Sequence, residues 1–345
     1  MLNQLLKLNT KVFNTDPEGK GTSYGAGVEK ISTRQGFGEG LVKAGTDNEK
    51  IIALSADLSE STKANLFAEK FPERFIEVGV AEQNMASVAS GMASMGKIPF
   101  IASYGIFNPG RNWEQIRTTI CYNNQPVKII GSHAGLSVGP DGGSHQALED
   151  IALTRVLPNM VVISPCDSIE AKKATIACAK TKDPTYIRLA RNNTPVITTE
   201  ETPFEIGKAQ IVYIPEIGLA HVGIIATGPI LYRALIAARD LEKMGIKTKV
   251  MNLSTIKPLD TDAIIALAKE VKAIVTVEDH QIAGGMGSAV AECLAQKYPI
   301  PIEFVGVNNK FGQSGTPEEL ENKYGIDIAN IIKKVEDVLK RKINK

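Results

Sequence analysis

From Ile31 onward, short runs of β-branched and apolar residues alternate with longer stretches patterned as helices. The short runs are Ile51–Ser55, Phe75–Val78, Ile98–Ala102, Val127–Gly131, Met160–Ser164 and Thr185–Leu189. Between them lie helix-length stretches such as Gly36–Gly45, Glu82–Met95 and Ser168–Lys180. Alternation of this kind predicts an α/β domain built on a mostly parallel sheet. The polar stretch Arg191–Pro203, with prolines at 195 and 203, interrupts the pattern and reads as a linker. The alternation then restarts. Strands are predicted at Val222–Ala226, Lys249–Asn252, Ala273–Val277 and Ile302–Val305, with helices at about 229–244, 261–270 and 285–297. Thr316-Pro317 opens a further helix, with Thr as N-cap and Pro in the first turn. Ile328–Lys340 is an amphipathic, Lys-rich helix. The fold class expected is therefore α/β, with two consecutive α/β domains at about 29–192 and 216–345, joined by a linker at 193–215. Residues 1–28 end in a Gly-rich stretch, Gly19 to Gly27, and read as a loosely packed arm.

Composition narrows the class. At 345 residues the chain is long enough to bury a sizeable core without staples. Net charge is +1, with Lys and Arg scattered, which leaves no electrostatic footprint for nucleic acid or an anionic membrane. Cys121, Cys166, Cys178 and Cys293 form no C-x-x-C and read as small buried hydrophobes in a reducing compartment. There is no basic-then-apolar leader and no run of about 18 apolar residues, so a cytoplasmic location is expected.

Four segments carry candidate chemistry. In Val78–Met95 the only ionisable side chain is Glu82, at the start of a helix full of Ala, Ser, Gly and Met. Small residues all round indicate burial on several faces, and a desolvated carboxyl is a candidate for proton chemistry. The alternative is an acid placed in the first turn by the helix dipole. Gly131–Asp150 follows a strand and holds His133, Asp141, His145 and five glycines. It suits a polar substrate loop at the end of a strand. A decorated turn is the alternative, and a metal site fits poorly because no ligand spacing matches. Arg34, Ser59 to Thr62 and Arg191 lie at predicted element ends. Singly they suit surface ion pairs; as a set they point to phosphate. Ala283–Val290 has no third glycine in dinucleotide register, which favours close helix–strand packing.

Together these segments resemble transketolase over about residues 30 to 335, in its pyrimidine-binding and C-terminal domains. The ordered pieces are STRQGFGEGL at 32–41, ALSADL at 53–58, RFIEVGVAEQNM at 74–85, SYGIF at 103–107, GSHAGLSVGPDGGSHQALED at 131–150, IRLARNN at 187–193, TIKPLD at 255–260 and VEDHQIAGGMGSAV at 277–290. The resemblance implies a thiamine diphosphate enzyme. In that family the Glu of AEQN, here Glu82, bonds the cofactor's pyrimidine nitrogen and promotes the imino tautomer. Phe107 matches the aromatic that stacks on the pyrimidine, with Tyr104 nearby. Asp57 and Leu58 match residues near the thiamine ring, and His145 matches a residue approaching the cofactor's amino group. His133 and Asp141 match residues on the donor sugar's hydroxyls. Arg34, Ser61 and Arg191 match the substrate phosphate site, with Ser59 two residues from Ser61. FNPGRNWEQIR carries one residue more than animal transketolases, so no role passes to Trp113.

Transketolases hold Mg²⁺ (or Ca²⁺) and the diphosphate with a GDG motif in an N-terminal domain. No GDG occurs here, and the residues before Ile31 are too few for a domain of roughly 100 residues. The expectation is an N-terminal partner subunit carrying GDG, with two copies of each chain in an α2β2 assembly. The implied reaction moves a two-carbon ketol unit from a ketose phosphate to an aldose phosphate. Alternatives are the β subunit of a 2-oxo acid dehydrogenase E1, a fragment like 1-deoxyxylulose-5-phosphate synthase, and a non-catalytic assembly subunit. VEDH and ARNN lean towards transketolase, and an assembly subunit would not need the polar site residues.

Overall fold

A computed structural model describes residues 1–14 and 27–343. The first half contributes strands β1 (Lys30–Ser32), β2 (Ile51–Ser55), β3 (Phe75–Glu77), β4 (Ile98–Tyr104), β5 (Lys128–Ser132), β6 (Val161–Ile163), β7 (Thr185–Arg188) and β8 (Asn193–Pro195). The second contributes β9 (Gln210–Tyr213), β10 (Val222–Ala226), β11 (Thr248–Asn252), β12 (Thr255–Lys257), β13 (Ile274–Gln281) and β14 (Ile302–Val307).

One sheet has the order β12-β6-β7-β5-β4-β2-β3, parallel except for β12. Strands β2, β5, β6 and β7 are buried along their whole length. A sheet covered on both faces needs apolar side chains on both, which is why these strands read as continuous runs. On one face the helices Thr33–Asp47 and Ser168–Cys178 pack closely, with 0% exposed Phe37 and Leu41 in the layer beneath. A Cβ on Gly36 would fall 1.8 Å from the Ser168 carbonyl oxygen, so this approach requires glycine. The other sheet has the order β14-β13-β10-β11-β9, with only β9 antiparallel. Both sheets belong to α/β domains, as the alternation predicted.

The predicted Thr316 cap forms a full capping box with Glu319. The terminal helix Ile328–Ile343 buries Ile331, Val335 and Val338 against the second sheet's core. No helix among the described residues is long and apolar enough to cross a membrane.

Three segments differ from expectation. Residues 1–14 are docked rather than loose: Leu8 and Val12 join the second domain's core, and the Asn3 N–H donates to the Val212 carbonyl at 2.9 Å. Most of the Gly-rich stretch before Gly27 lies outside the described residues. Within 193–215, β8 pairs antiparallel with β1 and β9 edges the second sheet. The segment TIKPLD crosses back to the first domain, where its β12 pairs with β6. Each of these strands has three or four residues, too few for periodicity to register.

Candidate active site

Strands β2, β3, β4, β5 and β7 run parallel, and all the singled-out residues except Arg34, which follows β1, come at or after their carboxyl ends. Ligands of open α/β sheets sit at this edge. Asp57 and Leu58 follow β2, Glu82 follows β3, Tyr104 ends β4 and Phe107 follows it. His133 to His145 follow β5, and Arg191 follows β7.

Glu82 opens the helix Glu82–Ser94 and is 1% exposed. Its Oε1 accepts from Ser103 Oγ at 3.1 Å and its Oε2 from Arg111 Nη1 at 2.6 Å. Its backbone carbonyl accepts from Asn112 Nδ2 at 3.1 Å. The buried acid is as expected; burial of the helix on several faces is not. Gln83, Asn84, Ser87, Val88, Gly91 and Ser94 are exposed along one side, and Met95 at its end is 84% exposed. Small residues here line both a packed face and an open one. Arg111 and Asn112 were not anticipated. They sit in the segment after Phe107, where buried Asn108 donates to the Ile101 and Ile130 carbonyls at 3.1 Å and accepts from Asn112. This clamp fixes the turn to β4 and β5. Further along, the Trp113 indole N–H donates to the Leu153 carbonyl at 2.7 Å. A π-helical turn, Ile116–Cys121, then follows.

The rings and histidines form one cluster. Tyr104 stacks on His133 with centroids 3.9 Å apart and lies 6.1 Å from Phe107, nearly parallel. His145 meets Phe107 edge-on at 5.7 Å. His133 has a left-handed backbone, φ 53°, and its Nδ1 shares a hydrogen bond with Ser132 Oγ at 2.9 Å. Burial, then the charges of Arg34, Arg191 and His145, push the His133 pKa down to about 3. The unfolded chain gains a proton near pH 6.5 that folded His133 refuses until about 3. His133 therefore contributes stability above 6.5 that is lost as pH falls through that window. An NMR titration should show the His133 ring neutral from pH 8 to 5; a midpoint near 6.5 would contradict this environment.

The expected phosphate set also converges. Arg34 Nε donates to the Arg191 carbonyl at 3.1 Å, and its Nη1 to the Ser61 carbonyl at 2.6 Å. Arg191 Nη1 donates to the Val138 carbonyl at 2.7 Å and lies 3.8 Å from Asp141 Oδ1. Ser61 meets Arg34 through its backbone carbonyl. Asp57 has φ 61° and donates its N–H to Glu77 Oε1 at 2.7 Å, which also accepts from Gly79. Leu58 N–H bonds Ser55 Oγ at 3.2 Å. Among the described residues, no hydrogen bond or ring contact joins Asp57 or Leu58 to the aromatic cluster.

The base of the 133–147 loop is held by residues that sequence reasoning missed. Ala134 and Ala147 form a bridge, and Arg188 donates to the Ala147 carbonyl at 3.2 Å. Buried Asp150 accepts from Arg188 Nε at 2.9 Å and from the Tyr186 hydroxyl at 2.7 Å. The second domain braces the loop: Asp279 accepts the Leu136 N–H at 3.0 Å, and Arg188 donates to the Asp279 carbonyl at 2.7 Å. Gly135 has φ +82°, and a Cβ there would fall 2.0 Å from Asp279 Oδ2, so glycine is required on both counts. In AGGMGSAV the close-packing reading fits. Buried Glu278 accepts the Met286 and Gly287 N–H groups at 2.7 and 2.8 Å, filling the helix N-terminus with the protein's own carboxyl. Burial raises that group to about 7. Among the described residues, no group of three or more His, Cys, Asp or Glu could hold a metal ion.

Comparison with known proteins identifies the family. The family model for the transketolase pyrimidine binding domain matches residues 29–196, and that for the transketolase C-terminal domain matches residues 219–331. A protein of Methanocaldococcus jannaschii assigned as a transketolase C-terminal section is 44% identical over 92% of this chain and 98% of its own length. A 6-deoxy-6-sulfo-D-fructose transketolase subunit of Clostridium sp. (strain MSTE9) is 37% identical over 91% of this chain and 97% of its own. A solved split-gene transketolase, described as an inactive β4 tetramer, superposes with a TM-score of 0.83 at 42% identity. That match covers 90% of this chain and 99% of the other. The chain belongs to the transketolase family and carries its pyrimidine-binding and C-terminal domains.

Proposed function

We propose that this chain is the C-terminal subunit of a two-chain transketolase. It would transfer a two-carbon ketol unit between sugar phosphates with thiamine diphosphate, together with an N-terminal partner in an α2β2 assembly. One observation carries the reading. A buried carboxyl with an aromatic cluster and an arginine pair meet at the carboxyl edge of one sheet. The donor set fits the cofactor's pyrimidine end: Glu82 offers a carboxyl to a ring nitrogen, and Phe107 and Tyr104 offer ring faces. Thiamine diphosphate, when bound, supplies the carbanion chemistry that breaks and forms the carbon–carbon bond.

This chain's residues would orient the reactants. Glu82 would hold the ring, and His145, Asp57 and Leu58 would border it. His133, neutral near pH 7, can both donate and accept, which suits sugar hydroxyls, and Asp141 accepts from them. Arg34 and Arg191, with Ser61, would anchor the phosphate and so fix the reacting carbons. The partner would carry the GDG motif and hold the diphosphate and its Mg²⁺. The open side of the Glu82–Ser94 helix, flanked by 69% exposed Val80 and 84% exposed Met95, supports an assembled state. A non-catalytic assembly role would leave the convergent Glu82, His133 and arginine groups without a purpose. A second reading changes only the anion. The Clostridium relative is named for a sulfo sugar, and paired guanidiniums suit sulfonate as well as phosphate.

The test compares ribose 5-phosphate, its sulfonate analogue and uncharged glycolaldehyde as acceptors in the assembled enzyme. Arg191→Ala should raise KM for the charged acceptor about 10- to 100-fold, the range for a hydrogen bond to a charged group. KM for glycolaldehyde should not move. No turnover of any ketose phosphate by the wild-type complex would sink the reading.

A further inference from the structure

We propose that Arg111 is a latch, engaging the same acid and ring face that the thiamine ring would use. The inference rests on the functional reading above and concerns the same pocket. Arg111 Nη1 bonds Glu82 Oε2 at 2.6 Å, and its guanidinium carbon lies 4.3 Å from the centre of the Phe107 ring. These are the acid and the aromatic face assigned to the cofactor. A guanidinium imitates an aminopyrimidine in both respects: it is flat enough to stack on an aromatic face, and its N–H groups suit a carboxylate.

A thiamine ring using both contacts would compete with the guanidinium for them. A carboxylate bound to a guanidinium is an acceptor only. Oε1 accepts from Ser103 and Oε2 from Arg111, whose guanidinium also covers the Phe107 face, so a ring stacked on Phe107 and bonded to this carboxyl would have to displace it. The surroundings allow release without moving the backbone. Asn108 and Asn112 are fully buried and fix the turn on either side, and the Arg111 N–H bonds the Phe107 carbonyl at 3.0 Å. The Arg111 side chain itself is 42% exposed, and Glu82 is its one ion-pair partner among the described residues. Rotation of such a side chain is fast, so the latch sets affinity through the fraction of time it is open.

The test is calorimetric titration of thiamine diphosphate, with Mg²⁺, into the complex of this chain with its N-terminal partner. Arg111→Met keeps the apolar stem and removes the guanidinium; Arg111→Gln is the second variant, should the first fold poorly. Both should bind the cofactor more tightly than wild type. A tenfold fall in Kd would mean a latch closed about nine-tenths of the time. Equal or weaker binding by a folded variant overturns the latch and leaves the functional reading intact. If the wild-type complex takes up no thiamine diphosphate, the functional reading falls and the latch with it.

Discussion

In the assembled enzyme, Glu82→Gln should lower turnover about 10²- to 10⁴-fold, the range for losing a positioned proton-transfer group. The amide has the carboxyl's shape, so the Ser103 hydroxyl and the Asn112 contact to the backbone carbonyl can persist. What is lost is the capacity to share a proton with a ring nitrogen. The loss should fall on kcat at saturating cofactor, because the carboxyl acts on the reacting state and not on sugar binding. Kinetics with a parallel thermal melt separate this from misfolding. A variant within threefold of wild type, with an unchanged melt, would remove Glu82 from its assigned role.

The largest effect on folding is expected at Asp150. Asp150→Ala removes the carboxylate that pairs with buried Arg188 and accepts from the buried Tyr186 hydroxyl. Breaking a buried ion pair from one side strands a charge, which costs about 3–5 kcal/mol. Few surface pairs approach this, because solvent screens them; Lys43–Asp47, more than 40% exposed on both sides, is an example. The damage should also reach the site. Arg188 ties the loop base at Ala147 to Asp279 of the second domain, so the segment carrying His133 and Asp141 would loosen. Urea unfolding of the isolated chain should show a midpoint well below wild type. A loss under about 1 kcal/mol would mean that Arg188 finds water or another acceptor.

Much of this arrangement was legible from residues alone, for identifiable reasons. Strands such as β2 and β5 are buried end to end, so their apolar runs stand out between helical stretches. Glu82 announced its burial by being the one charge among small residues. His133 and His145, twelve positions apart in one loop, both pack on Tyr104. Other features depended on tertiary context. Nothing in FNPGRNWEQIR says that Arg111 turns back onto Glu82, 29 residues away. The Asp150–Arg188 pair spans 38 residues. A charged residue ending the strand Thr185–Arg188, which is buried throughout, was the available signal, since such a charge needs a partner. The strands β1, β8, β9 and β12 owe their existence to pairing partners far along the chain. Composition of the Glu82–Ser94 helix could not separate its buried face from its exposed one.

The central claim is that this chain supplies the acid, the aromatic face and the phosphate grip, while a second polypeptide completes the cofactor site. The most direct measurement is turnover of xylulose 5-phosphate and ribose 5-phosphate with thiamine diphosphate and Mg²⁺, by the purified chain alone and after adding its N-terminal partner. The account predicts no turnover from the chain alone and recovery on addition of the partner. Robust turnover by the chain alone, or a formed complex that stays inert, would contradict it.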